Sequence, residues 1–163
     1  MAPMITHANW KLWRLEEGAK WSDWTPFTRA TINELVPTTA GTYALGWAAP
    51  RGEGLGRLLG TDPHAILDIG RSGTLRARLA SLKNCADTEG AEGHMAGWRL
   101  GTLGLLSRLN CKSSDNLLVS WVGLSDTATA HAHESYLLRA YFELFGELPP
   151  LNYQTNWTSY TRE

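Results

Sequence analysis

The apolar positions of this chain alternate between two periods. Three short runs are rich in aliphatic and aromatic residues and predict strands: Thr42-Tyr-Ala-Leu-Gly-Trp47, His64-Ala-Ile-Leu-Asp-Ile-Gly70 and Leu117-Leu-Val-Ser-Trp-Val122. The third is a near-continuous apolar run, which suits a central position. Between the first two lie Gly52, Gly54, Gly56, Gly60 and Pro63. Their spacing is not that of a dinucleotide fingerprint, and Pro63 falls where a long helix should follow. A hairpin with a long loop fits better than a parallel crossover.

Elsewhere the period lengthens to that of a helix. Leu75, Leu79 and Leu82 fall at i, i+4 and i+7, the buried stripe of a helix that Ser72 is placed to cap. Thr28–Leu35 predicts a short helix stopped by Pro37. Met95–Leu106 predicts another, weakened by Gly97, Gly101 and Gly104. Ser125-Asp126-Thr127 starts a long helix over 128–145, which Gly146 and Pro149-Pro150 end.

Two charged residues sit badly on these faces. Glu134, Leu137, Leu138, Tyr141 and Phe145 share one stripe of the last helix, so Glu134 lies on its apolar side. A buried carboxylate there needs a partner: Arg78, His133 or a metal ion. Arg78 is three residues from Leu75 and borders the stripe of its own helix, whereas Arg76 points away. Its planar fork suits either a buried ion pair or a phosphate. His131 and His133 occupy different helix faces, so they predict surface roles and not a zinc pair.

Composition changes the picture little. The 163 residues are 43% apolar and 19% charged with a net charge of −1, which fits one globular domain. The distribution is polarised. Residues 71–112 carry seven Lys/Arg against three Asp/Glu, and 113–163 carry two against six. Such asymmetry makes a basic face or merely solvated helices. Cys85 and Cys111 lack C-x-x-C spacing, so no zinc site or disulfide framework is predicted. No basic leader or run of ~18 apolar residues is present, and a cytoplasmic protein without membrane association is expected. Four of the eight tryptophans (Trp10, Trp13, Trp21 and Trp24) lie within 8–27. They stack on bases or, as dense tryptophans more often do, close a small core.

The motifs Gly41-Thr42-Tyr43 and Asp68-Ile69-Gly70, then Arg71-Ser72 and Arg78 eight residues beyond Gly70, resemble the GIY-YIG nuclease superfamily. His94 after a Gly-rich loop, Glu134 early in the long helix and Pro150-Leu151-Asn152 follow in matching order. The resemblance spans about 35–152. It implies an α+β domain, α/β/α-like, with a three-stranded antiparallel sheet flanked by helices. Residues 1–36 form an aromatic extension, 37–152 the core and 153–163 a tail. It further implies a DNA endonuclease using Mg²⁺ or Mn²⁺, acting as a monomer or homodimer. Glu134 would ligate the metal and Arg78 would clamp the phosphate. Tyr43 would act as or assist the base, His94 would relay a proton, and Asn152 would orient phosphate or water. Arg71, Ser72, Arg76 and Lys83 would contact DNA. The sequence departs from the family at Asp68, where a tyrosine is usual. Asp68 supplies a second metal contact, holds Arg78, or marks a non-catalytic module that binds nucleic acid or a protein.

Overall fold

A computed structural model describes residues 21–49 and 52–153. The elements run β1 (Thr25–Pro26), α1 (Arg29–Glu34), β2 (Gly41–Trp47), β3 (Leu55–Arg57), β4 (Gly60–Asp62), β5 (Ile66–Ser72), α2 (Leu75–Asp87), α3 (Met95–Gly101), α4 (Leu105–Arg108), β6 (Leu117–Gly123) and α5 (Thr127–Phe145). A 3-10 turn at Ser114–Asn116 leads into β6.

The sheet has four strands, not the expected three, in the order β1-β6-β2-β5, with every pair antiparallel. The added strand is only Thr25–Pro26, too short to leave a periodic pattern. It pairs with Val119 and Leu118 of β6. The glycine-rich connection also holds a second, two-stranded sheet of β3 and β4.

Successive residues of β2 feed opposite cores, as the pleat requires. Tyr43 and Leu45 join Leu75, Leu79 and Leu82 of α2 and Leu100 of α3. Ala44 joins Leu137, Leu138, Tyr141 and Phe145 of α5 on the other face. The sheet is therefore the middle of three layers. Both leucine stripes are buried as the periodicity predicts. Helix α5 starts on Asp126, whose side chain accepts from the Thr129 amide, and ends at Gly146 with φ 74°, the left-handed cap that glycine favours.

Several local expectations change. The helix expected over Met95–Leu106 divides into α3 and α4 around Gly104, whose φ is 68°. Thr74, not Ser72, is the N-cap of α2; the Ser72 hydroxyl accepts from the Thr74 amide and closes the turn before it. Trp10 and Trp13 lie outside the described residues. Trp21 is buried and packs in the α5 core, and Trp24 stacks on His64. These two tryptophans close the core. Cys85 and Cys111 are free and buried. Among the described residues no helix is long and apolar enough to cross a membrane.

Candidate active site

β5 lies at one end of the sheet, so the layers on both faces reach its outer edge. Register also shifts here. Leu45 pairs with Asp68 but Gly46 pairs with Ile66, leaving Leu67 as an extra residue. The bulge places Leu67 and Asp68 toward the same layer, with Leu67 in the α2 core and Asp68 against Tyr43. Re-aiming a side chain is a common consequence of a bulge.

The cleft at this edge has a volume of about 340 Å³. Tyr43, Asp68, Arg78, His94, Glu134 and Asn152 all line it. They come from five elements or their flanks, spread over more than a hundred residues of sequence. Gly70 is the residue opposite Tyr43 in the ladder, and a Cβ there would lie 2.3 Å from the Tyr43 hydroxyl. The close passage of ring over backbone explains why this position is glycine.

The Tyr43 hydroxyl is the hub. It donates to Asp68 Oδ2 at 2.8 Å and lies 2.9 Å from His94 Nε2. Burial pushes the Tyr43 phenol well above its ordinary range, and Asp68 pushes it further. Burial also raises the Asp68 carboxyl to about 6, with neighbouring Glu134 adding to the shift. Burial, then Arg78, lowers His94 to about 3, so its ring is neutral near pH 7. With Asp68 ionised it accepts a hydrogen bond from the Tyr43 hydroxyl, so the neutral His94 carries its proton on Nε2 and donates to the Tyr43 oxygen. His94 Nδ1 then has a free lone pair and no hydrogen-bond partner.

Among the described residues Arg78 makes a single long hydrogen bond, to the Gly93 carbonyl at 3.5 Å, and its Nε is buried without a partner. An arginine fork held this loosely beside a cleft has donors left for an anion. Glu134 is buried, and the Arg71 Nε lies 3.3 Å from its Oε2. Arg71, expected to touch DNA, makes this contact instead.

Asn152 is positioned differently from expectation. Its amide donates to the Ile69 carbonyl and accepts from the Ile69 amide, at 2.8 and 2.9 Å. It acts as a one-residue strand on the open edge of β5 and fixes that edge. Lys83, expected to contact DNA, is buried; its ammonium bonds the Phe27 carbonyl, Ser114 Oγ, Asp87 and Asp115. Arg76 Nε bonds the Val36 carbonyl, and Ser72 is occupied in its turn. His133, expected at the surface, is buried, with Nδ1 3.0 Å from Thr42 Oγ1. Arg99 was not anticipated. It lines the cleft, donates to the Leu151 carbonyl at 2.7 Å and packs its guanidinium against the Tyr153 ring.

Among the described residues no three His, Cys, Asp or Glu side chains gather as a ligand set. The donor set still fits Mg²⁺, which takes one or two carboxylates and keeps waters or phosphate oxygens for the rest. Two buried carboxylates, Asp68 and Glu134, feel each other's charge in this cleft. Hard oxygen donors favour a hard cation over zinc or copper.

No protein-family model matches this chain, and no curated protein or solved structure matches it significantly.

Proposed function

We propose that this protein is a divalent-metal-dependent endonuclease that hydrolyses DNA phosphodiester bonds in the β5-edge cleft. One observation carries the reading: Tyr43, Asp68, Arg78, His94 and Glu134 line a single cleft. Glu134 would hold Mg²⁺ or Mn²⁺, with waters and phosphate oxygens completing the shell. When bound, the ion supplies charge stabilisation to the phosphate and its leaving oxygen.

The protein's own groups do the rest. Arg78 binds the non-bridging oxygens of the scissile phosphate. Asp68 is the proton sink. As a water attacks phosphorus, its proton passes to the Tyr43 oxygen, and the Tyr43 proton passes to Asp68 Oδ2. Tyr43 therefore relays without ever becoming a stable phenolate, which its upward shift disfavours. His94 steadies the Tyr43 oxygen through its Nε2 proton. Asn152 is a positioning residue, because both ends of its amide serve Ile69.

A second reading is a module of this fold that binds DNA or a protein without cutting. The Arg71–Glu134 pair supports it, since it already neutralises the carboxylate needed for metal. Incubating supercoiled and linear DNA with Mg²⁺ or Mn²⁺ separates the two. Hydrolysis by wild type that drops at least a hundredfold in both Arg78→Ala and Glu134→Gln is expected. Equal cutting by either variant rejects the proposed site, and binding without cutting by wild type favours the second reading.

A further inference from the structure

We propose that the cleft takes single-stranded or splayed-out DNA, one base stacking on Tyr153 while the adjacent phosphate sits on Arg78. This rests on the nucleic-acid reading above and names its substrate class.

Tyr153 is 65% exposed yet lines the cleft that holds Arg78. A large aromatic left in water costs free energy, so its position calls for a reason. Its support is unusually firm. The Leu151 amide donates to the Leu67 carbonyl at 2.8 Å, Arg99 donates to the Leu151 carbonyl, and Asn152 grips both backbone groups of Ile69. Four hydrogen bonds thus pin the two residues immediately before the ring. Arg99 backs the ring itself. A fixed aromatic beside an anion-binding arginine is the pairing that single-strand binders use, because every base offers a π-face.

The surroundings fit an unpaired strand better than a duplex. On the other side of His94 a second hollow, about 490 Å³, shares His94 and Met95 with the cleft and adds Trp98. Met95 is 61% exposed there. Met95 and Trp98 thus add apolar and aromatic surface beside the cleft, which suits exposed bases, with Glu92 and Gly93 completing the hollow. Duplex binding relies on many phosphate contacts along the helix. The basic residues of 71–112 do not supply a long track at the cleft: Lys83 is buried, Arg76 bonds Val36, Arg71 pairs with Glu134, and the exposed Arg108 and Lys112 line other hollows. Arg78 and Arg99 remain at the cleft.

The test uses the full chain in EDTA, so that no strand is cut. Fluorescein-labelled oligo(dT) and a hairpin duplex with the same number of phosphates are titrated by anisotropy. Wild type should bind oligo(dT) at least tenfold tighter than the duplex. Tyr153→Ala should weaken oligo(dT) by about five- to a hundredfold, and Tyr153→Trp should retain it. With one phosphate contacted, on Arg78, the slope of log affinity against log salt should be about −0.7. Duplex binding as tight as oligo(dT), or an unchanged affinity in Tyr153→Ala, overturns the inference and leaves the nuclease reading standing. Failure of wild type to bind either DNA overturns both.

Discussion

Replacing Asp68 by asparagine tests whether the cleft holds its carboxylate against the preference of the fold. Asp68 is 4% exposed, and burial raises its pKa to about 6 from an ordinary 3.8. Its folded pKa lies above the unfolded one, so folding favours the protonated acid. The stabilisation is complete below pH ~4 and is lost as pH rises through 6. A shift of about two units corresponds to about 3 kcal/mol, of which about 2.5 falls between pH 4 and 8. Asp68→Asn keeps an acceptor for the Tyr43 hydroxyl but cannot ionise. Its amide hydrogens find no assured partner, a cost of about 1–3 kcal/mol that does not depend on pH. The variant should therefore be less stable than wild type at pH 4 and equal or more stable at pH 8. Relative to wild type, the gain across that range is about 2.5 kcal/mol, or roughly 5–10 °C in Tm for a chain of this size. Urea unfolding of both proteins at pH 4, 6 and 8 measures it, and titrating groups remote from Asp68 cancel in the difference. A stability difference that stays constant from pH 4 to 8 would refute the assignment of a raised Asp68. The same variant should lose hydrolysis, because the proton sink is gone.

Three further perturbations address the scaffold. Lys83→Met removes an ammonium shared by Phe27, Ser114, Asp87 and Asp115, and should cost about 3–5 kcal/mol in urea unfolding while leaving DNA affinity of the folded protein unchanged. Asn152→Ala strips both bonds to Ile69 and should cost about 1–3 kcal/mol by the same assay. Gly70→Ala drives a methyl into the Tyr43 ring, which is fully buried and has no room to retreat; hydrolysis should fall at least tenfold, and a wild-type rate would mean the hydroxyl's position is unimportant.

What the sequence discloses here is local. The leucine stripe of α2 and the misplaced Glu134 both follow from 3.6-residue periodicity, and the structure buries all four residues. What it hides depends on distant contacts. Gly97 and Gly101 look like flaws in a helix. They are instead the points where α3 lies on the backbone of α2, since a Cβ at each would come within 2.5 Å of the Leu82 and Cys85 carbonyl oxygens. That crossing brings Arg99 to the cleft, which is why no pattern flagged it. Lys83 stands in a basic run and looks solvated, but a turn some thirty residues later supplies Ser114 and Asp115 as its partners. The bulge at Leu67 that delivers Asp68 to Tyr43 leaves no mark in a run of apolar residues.

On the proposed reading, the charges around the cleft explain how an aspartate can stand where the resemblance led to a tyrosine. Arg71, Arg78 and Arg99 face Asp68 and Glu134, so the ionised cleft carries a net positive charge. Arg71 is committed to Glu134, which leaves Arg78 to meet the phosphate without a hydrogen-bonded carboxylate of its own. A single negative phosphodiester would therefore be attracted before any metal is present. The ionised Asp68 would repel a phosphate; the guanidinium groups offset this, and the repulsion fades below pH 6 as Asp68 takes up its proton. Metal must then compete with Arg71 for Glu134, so a phosphate already seated on Arg78 would add an oxygen ligand and make that exchange easier. Binding in this order makes DNA affinity measurable in EDTA and makes Mg²⁺ affinity rise when DNA is present, a coupling that must be equal in both directions. Calorimetric titration of Mg²⁺ into Glu134-intact protein with and without a non-hydrolysable oligonucleotide tests it. Independent binding of the two would place the phosphate elsewhere.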